Sequence, residues 1–213
     1  MKKILYNHFD KNVIVDLPAA VFKGKIVVVQ SSHEAEKAVD YLLSQPILGI
    51  DTETRPSFKK GKTNLVSLLQ VSTHDVCFLF RLNFFGIDEA VKRLLENTDV
   101  PMVGLSLHDD LAALHRRSDF KTGAFIDLQS IVGQFGIEDL SLRKLYANIF
   151  GEKISKRQQL SNWDADVLSD KQKLYAATDA WACLRIYDEL KRLEDTRDFE
   201  LVVIEEPADE IGE

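Results

Sequence analysis

An apolar run that ends in two acidic residues constrains the fold more than any other feature of the sequence. Residues 47–50 are apolar, and Asp51 and Glu53 follow them with one residue between. The run predicts a buried strand, in which side chains two positions apart point to the same face of the sheet. Two adjacent carboxylates repel each other unless a cation or a proton separates them. Because open α/β sheets bind ligands at the carboxyl ends of their strands, the pattern predicts a cation site there.

Carboxylate oxygens are hard ligands, so the pair favours Mg²⁺ or Mn²⁺ over softer metals. The spacing is not specific by itself, because Asp198 and Glu200 share it with no strand before them. Other patterns in the chain must therefore decide whether Asp51 and Glu53 form part of a site.

The remaining patterns alternate between the two types of secondary structure and predict a mixed α/β sheet with a helical C-terminal half. Including the run above, six segments have strand patterns: 26–29, 47–53, 65–71, 76–80, 102–105 and 125–127. Helical patterns cover 32–44, 87–97, 108–117 and 170–193, and residues 128–169 are also helical in pattern, with breaks at glycines.

Charge is unevenly distributed along the chain. The net charge is −7, but residues 194–213 contain nine acids and one base, so residues 1–193 carry a net charge of +1. With so small a positive charge, residues 1–193 are not expected to bind nucleic acid tightly and non-specifically. The strand and helix patterns, together with the charge distribution, divide the chain into an N-terminal extension (1–24), a main domain (25–193) and an acidic tail (194–213). The apolar patch 201–204 in the tail indicates either a terminal strand or disorder.

Two further acidic patterns lie on predicted helices. Tyr175 and Asp179 are four residues apart and share one helix face, although a half-exposed helix would show the same spacing. Asp109 and Asp110 follow the strand at 102–105, in the first turn of the next helix. Acids in a first turn also stabilise a helix through its dipole, without any catalytic role.

Together, these three patterns resemble the motifs of the DEDDy 3′–5′ exonucleases, a family that includes ribonuclease D and the Werner exonuclease domain. The resemblance covers about residues 25–192, and residues 65–73 look like the family's second strand. Residues 160–163, Leu-Ser-Asn-Trp, are similar to the ribonuclease D and Werner group. The resemblance implies a ribonuclease-H-like α/β fold, with a five-stranded mixed sheet that contains one antiparallel strand.

The resemblance also implies which residues carry the chemistry. The family's metal ligands fall on Asp51, Glu53, Asp110 and Asp179, which would hold two Mg²⁺ or Mn²⁺ ions. Its catalytic tyrosine falls on Tyr175, which would orient the attacking water. The distance from residues 103–104 favours Asp110 over Asp109, and successive helix positions point about 100° apart, so only one of the two can face the metals.

Several basic or aromatic residues close to these motifs are candidates for contact with a nucleic acid 3′ end, DNA or RNA. A solvated surface charge is the alternative for each base, and a core position is the alternative for Trp163. The candidates for substrate contact are Arg55, His108, Arg143, Lys156 and Arg157. Further bases in the same segments are Lys59, Lys60, Lys62, Lys144 and Lys153.

Three other functional classes are alternatives to the exonuclease. A catalytically inactive nucleic-acid-binding module of the same fold is the main alternative, and the intact acids count against it. Another ribonuclease-H-like enzyme, such as an endonuclease, does not account for the helical tyrosine–aspartate pair. A dinucleotide-binding enzyme is excluded because no Gly-x-Gly-x-x-Gly follows a predicted strand.

The expected environment is the reducing cytoplasm. The N-terminus has no long apolar segment typical of a signal peptide, and no run of about 18 apolar residues predicts a membrane span. Cys77 and Cys183 lack metal-ligand spacing, so we expect buried free thiols.

Overall fold

The computed structural model describes residues 2–59, 61 and 63–205, which contain one main sheet, one small sheet and seven α-helices. The strands are β1 (Lys3–Tyr6), β2 (Lys25–Val29), β3 (Leu48–Thr54), β4 (Val66–Ser72), β5 (Val76–Phe80), β6 (Met102–Gly104), β7 (Phe125–Asp127) and β8 (Phe199–Val202). The helices are α1 (Ser32–Leu42), α2 (Leu82–Phe85), α3 (Glu89–Leu95), α4 (Leu107–His115), α5 (Gln129–Val132), α6 (Leu142–Phe150) and α7 (Asp170–Thr196). Short 3₁₀ turns lie at Val13–Asp16 and Gly133–Phe135.

The main sheet has six strands in the order β2-β5-β4-β3-β6-β7, and only β4 runs antiparallel to its neighbours. The mixed α/β fold and the helical C-terminal portion are as predicted. The expected number of five strands is wrong, because β2 pairs in parallel with β5 along its whole length and adds an edge strand. All six strand patterns found in the sequence belong to this one sheet.

Strand β3 lies inside the sheet and is covered on both faces. Leu48 and Ile50 pack into the core formed with α1 and α3. Gly49 faces the opposite side, where a Cβ atom would lie 2.1 Å from the carbonyl oxygen of Ala180 in α7. Glycine therefore lets α7 approach the sheet closely, directly beside Asp179.

Helix α7 has a well-defined start and a face of small residues. Ser169 and Gln172 form a capping box, in which each side chain bonds the other's backbone N–H. Small buried side chains on the sheet-facing side, including Ala176 and Ala180, allow close packing. The helix extends to Thr196, three residues beyond the predicted end.

The two ends of the described chain meet in a small parallel sheet formed by β1 and β8. The Asn148 side chain accepts from the Tyr6 backbone N–H at 3.0 Å and donates to the Tyr6 carbonyl at 2.7 Å, as a neighbouring strand would. Of the two alternatives for the apolar patch of the tail, the structure has a strand that includes residues 201–202. Residues 206–213 of the tail lie outside the described residues.

Both cysteines are buried free thiols, as expected. Burial raises the pKa of the Cys77 thiol to about 12, so it is not a nucleophile at neutral pH. Within the described residues, none of the helices is both long enough and apolar enough to cross a membrane.

Candidate active site

Three acids from two elements meet at the carboxyl end of β3. Asp51 and Glu53 project from the face that α7 covers, and Asp179 projects from α7 towards them. One carboxylate oxygen from each of the three lies within 4.8 Å of the others. The β3–β4 register shifts between Glu53 and Thr54, immediately after the second acid. Such a bulge changes the direction of the strand next to the cluster.

The three acids repel each other in a buried environment. Burial, followed by the charges of Asp110 and Asp179, raises the pKa of Asp51 well above its usual value. Burial and the neighbouring carboxylates raise the pKa of Glu53 to about 10. Burial raises that of Asp179 to about 7, against the opposing effect of a hydrogen bond from Tyr175. This destabilisation of the charged forms is what a bound cation would remove.

Within the described part of the chain, no lysine or arginine forms an ion pair with this cluster. The Oδ1 atom of Asp179 is buried and has no hydrogen-bond partner there. A buried carboxylate oxygen without a partner, beside two more carboxylates, fits a small divalent ion with oxygen ligands. We therefore describe Asp51, Glu53 and Asp179 as the carboxylate cluster.

Asp110 approaches the same site from α4, on the other side of β3. It is half-buried, whereas Asp109 is exposed. The Thr52 hydroxyl donates a hydrogen bond to Asp110 Oδ1. Burial, followed by the charges of Asp109 and Asp127, raises the pKa of Asp110 to about 6, although the Thr52 bond lowers it. Asp110 lies outside the tight cluster but close enough to Asp51 for the two charges to repel.

Tyr175 lies one helical turn before Asp179 and hydrogen-bonds its carboxylate. Burial is the largest cause that raises the pKa of the phenol far above its usual value, and the charges of Asp179 and Glu53 add to it. The hydroxyl therefore stays protonated and remains a hydrogen-bond donor at neutral pH. Its ring packs 6.0 Å from Trp163, which is completely buried, so the core alternative holds for that residue.

The carboxylate cluster lines a cleft of about 280 Å³, and Arg143 and Lys156 also line it. A second cavity of about 240 Å³ is lined by Arg157 and Lys171 among others. Tyr175 and Asp179 line both cavities. Three of the basic candidates for substrate contact thus lie beside the acids.

The remaining candidates lie further away or have other partners. Arg55 is within 3.9 Å of Asp164 and lines a surface pocket on the loop that follows β3. His108 is exposed and does not line the cleft. Lys144 pairs with Asp139, and Lys153 donates to the carbonyl of Val15. Lys59 is exposed, and Lys60 and Lys62 lie outside the described residues.

Several features of the site were not found from the sequence. Thr52 was visible between the two acids, but its bond to Asp110 depends on α4 packing behind the strand. Cys183, one turn after Asp179, lines the cleft.

Comparison with known proteins gives the same family along most of the chain. A family model described as a 3′–5′ exonuclease matches residues 26–194. The chain is 32% identical over 197 residues to the mouse bifunctional 3′–5′ exonuclease/ATP-dependent helicase WRN, covering 87% of this chain and 14% of that protein. It is 28% identical over 196 residues to an Arabidopsis thaliana 3′–5′ exonuclease, covering 84% of this chain and 68% of the relative. The chain thus spans a small part of the mouse protein.

Solved structures share the fold. The Aedes aegypti Nibbler EXO domain superposes with a TM-score of 0.75 at 22% identity, covering 85% of this chain and 95% of that one. Escherichia coli RNase D superposes with a TM-score of 0.69 at 17% identity, covering 84% of this chain and 52% of that one. The family match begins in β2, contains every acid of the candidate site and ends in the last turn of α7, so the chain belongs to the 3′–5′ exonuclease family of hydrolases.

Proposed function

We propose that this chain removes nucleotides from the 3′ end of DNA or RNA by metal-dependent hydrolysis of phosphodiester bonds. The observation that carries the proposal is the carboxylate cluster. Its members come from two elements that pack closely because of Gly49, and they have no protein cation as a partner among the described residues. Buried like charges are costly for folding, so their presence here supports a role in holding a cation.

Asp51, Glu53, Asp110 and Asp179 would together hold two Mg²⁺ or Mn²⁺ ions, with the first, second and fourth of these acids in the carboxylate cluster. All the ligands are oxygens, which both ions prefer. When bound, the two ions lower the pKa of water and neutralise charge on the phosphate and on the leaving 3′-oxygen. Thr52 would keep the Asp110 carboxylate directed at the site through its hydrogen bond.

The chain's own side chains supply orientation and charge. The Tyr175 hydroxyl, which stays protonated and bonds Asp179, would hydrogen-bond the attacking water. Water attacks the terminal phosphorus, and the bond to the 3′-oxygen of the preceding nucleotide breaks as that oxygen gains a proton. Arg143 and Lys156, which line the cleft, would bind phosphate oxygens of the strand. No side-chain nucleophile takes part.

The test is digestion of 5′-labelled single-stranded DNA, 3′-recessed duplex DNA and single-stranded RNA, with Mg²⁺, Mn²⁺ or EDTA. We expect products that shorten stepwise from the 3′ end with metal and none with EDTA. Tyr175→Phe should reduce the rate roughly 10²-fold, the lower range for proton-transfer and water-orienting groups, without weakening metal binding. The preferred substrate identifies the sugar that the site accepts.

A suitable control is Tyr41→Phe, because Tyr41 lies on α1 and packs against Phe78, away from the cleft. Its activity should equal that of the unaltered protein. Retained binding of all three substrates with no shortening of any would reject the exonuclease in favour of the inactive binding module. Cleavage at internal positions would instead identify an endonuclease.

A further inference from the structure

Asp127, at the end of β7, makes an unusual set of backbone contacts next to the site. Its carboxylate accepts the backbone N–H groups of Ser106 at 3.1 Å, Leu107 at 2.8 Å and Gln129 at 2.9 Å. The first two belong to the start of α4, which carries Asp110. One side chain from a neighbouring strand thus holds the beginning of this helix.

The turn before α4 does not cap the first backbone N–H groups of the helix with a side chain of its own. Ser106 occupies the N-cap position but has no side-chain capping bond, and its backbone is left-handed with φ of 59°. Its hydroxyl instead accepts a hydrogen bond from Gln129 Nε2 at 2.7 Å. A non-glycine residue in this conformation persists only where the surroundings hold it in place. Here Asp127 and Gln129 provide those surroundings.

The turn also lies directly against the sheet. A Cβ atom at Gly104 would come within 2.4 Å of Leu107 Cδ2 and within 3.0 Å of the Ile50 carbonyl oxygen. The start of α4 is therefore packed one residue away from Asp51. Small movements of this turn would change the distance between Asp110 and Asp51.

We propose that Asp127 is a positioning residue for the metal site, which fixes the β6–α4 turn and thereby the place of Asp110. The inference rests on the proposed function, because it takes Asp110 to be a metal ligand. Two contacts then define Asp110: the bonds to Asp127 set where α4 begins, and Thr52 directs the carboxylate itself. Asp127 is also close enough to repel Asp110.

The test is the variant Asp127→Asn, which keeps the shape of the side chain. Asparagine has one acceptor oxygen, so its amide nitrogen would face a backbone N–H and lose at least one of the three bonds. We expect the Mn²⁺ concentration for half-saturation to rise about tenfold, the lower end for residues that orient metal ligands. Electron paramagnetic resonance of free Mn²⁺ measures this binding without reference to activity. The rate should recover in part at high Mn²⁺.

A matched control is Asp139→Asn. Asp139 is buried and, like Asp127, accepts a backbone N–H, that of Phe9 at 2.6 Å, but it lies outside the cleft. This variant should lower the melting temperature and leave the Mn²⁺ titration unchanged. If Asp127→Asn also changed only the melting temperature, Asp127 would be a helix cap and the proposal would be overturned.

Two further outcomes separate this inference from the proposed function. Mn²⁺ binding that weakens in Asp127→Asn, in a protein without exonuclease activity, would reject the proposed function and support the positioning role. Absence of Mn²⁺ binding by the unaltered protein would overturn both. If Asp127→Asn does not fold, the comparison is made between Ser106→Gly and Ser106→Gly/Asp127→Asn, because glycine adopts the left-handed turn without strain. The double variant should again bind Mn²⁺ about tenfold more weakly than the single one.

Discussion

Two buried aspartates with the same exposure, 6%, have opposite surroundings. Asp139 bonds the backbone N–H of Phe9 and the Lys144 ammonium group, each at 2.6 Å. Asp179 instead faces two more carboxylates, and one of its oxygens has no partner among the described residues. Folding normally supplies a buried carboxylate with donors, as it does at Asp139. Among the described residues no positive charge partners Asp179, which is the arrangement expected of a carboxylate that binds a cation.

Replacing each of the two acids by asparagine tests this difference most directly. Asp179→Asn should reduce exonuclease activity roughly 10³-fold or more, because it removes charge from the centre of the site. Without metal it should also raise the free energy of unfolding, by on the order of 1 kcal/mol, because it relieves repulsion. Asp139→Asn should lower the free energy of unfolding by about 2 kcal/mol, because it weakens bonds to a charged acceptor. Urea denaturation in EDTA measures both changes.

The comparison predicts that the two substitutions change the free energy of unfolding in opposite directions. If Asp179→Asn destabilised the metal-free protein as much as Asp139→Asn does, the carboxylate cluster would be an ordinary structural network. Asp139→Asn should retain full activity at temperatures where it remains folded, and loss of its activity would show that the two regions are coupled.

The pH dependence of stability provides a second test, of intermediate size. Acids whose pKa is raised by folding bind more protons in the folded state, so stability falls as pH rises from about 4. The relevant folded values are about 6 for Asp110, about 7 for Asp179 and about 10 for Glu53. In EDTA, the free energy of unfolding should therefore fall from about pH 5 to about pH 8. Glu189 opposes this only at lower pH, because its bonds to Arg192 and Lys3 lower its pKa to about 2.

Metal should reverse this trend, because the ion competes with protons for the same oxygens. Mn²⁺ at a hundred times its dissociation constant should add about 2.7 kcal/mol at pH 8 and much less at pH 5. Asp179→Asn should remove most of this gain, and Asp139→Asn should leave it in place. Stability in EDTA that is flat or rises over this range would contradict the raised pKa values of the cluster.

The sequence alone was sufficient for features that depend on local pattern. Every strand of the main sheet has its own run of apolar residues, and the acids of the cluster lie at strand and helix spacings that place them on defined faces. The family resemblance implies five strands, whereas the six apolar patterns of the chain match the six strands of the sheet. The additional strand, β2, is formed by an ordinary apolar segment that pairs along the sheet edge.

Contacts between distant segments could not be predicted from the sequence. The pairing of β1 with β8 joins residues almost 200 positions apart and has no periodicity of its own. The bonds from Asp127 to Ser106 and Leu107 cross between β7 and the start of α4, and an acid that ends a short strand gives no signal of them. His108 precedes the acids in sequence, but the structure places it at an exposed helix position that does not line the cleft.

The smallest predicted effect concerns two lysines, one beside Asp139 and one at the cleft. Like the two aspartates, they differ in whether the chain supplies a partner of opposite charge. The Lys144 charge is bound to Asp139, whereas Lys156 is exposed at the cleft. Lys156→Ala should raise KM for a single-stranded oligonucleotide several-fold at unchanged kcat, because it removes one phosphate contact. The slope of log KM against log salt concentration should fall by roughly 0.7, the contribution of one contact to a single strand. Lys144→Ala should leave KM and its salt slope unchanged while it lowers stability. Equal salt slopes for Lys156→Ala and the unaltered protein would place the strand elsewhere and would leave Arg143 and Arg157 as the remaining basic side chains beside the acids.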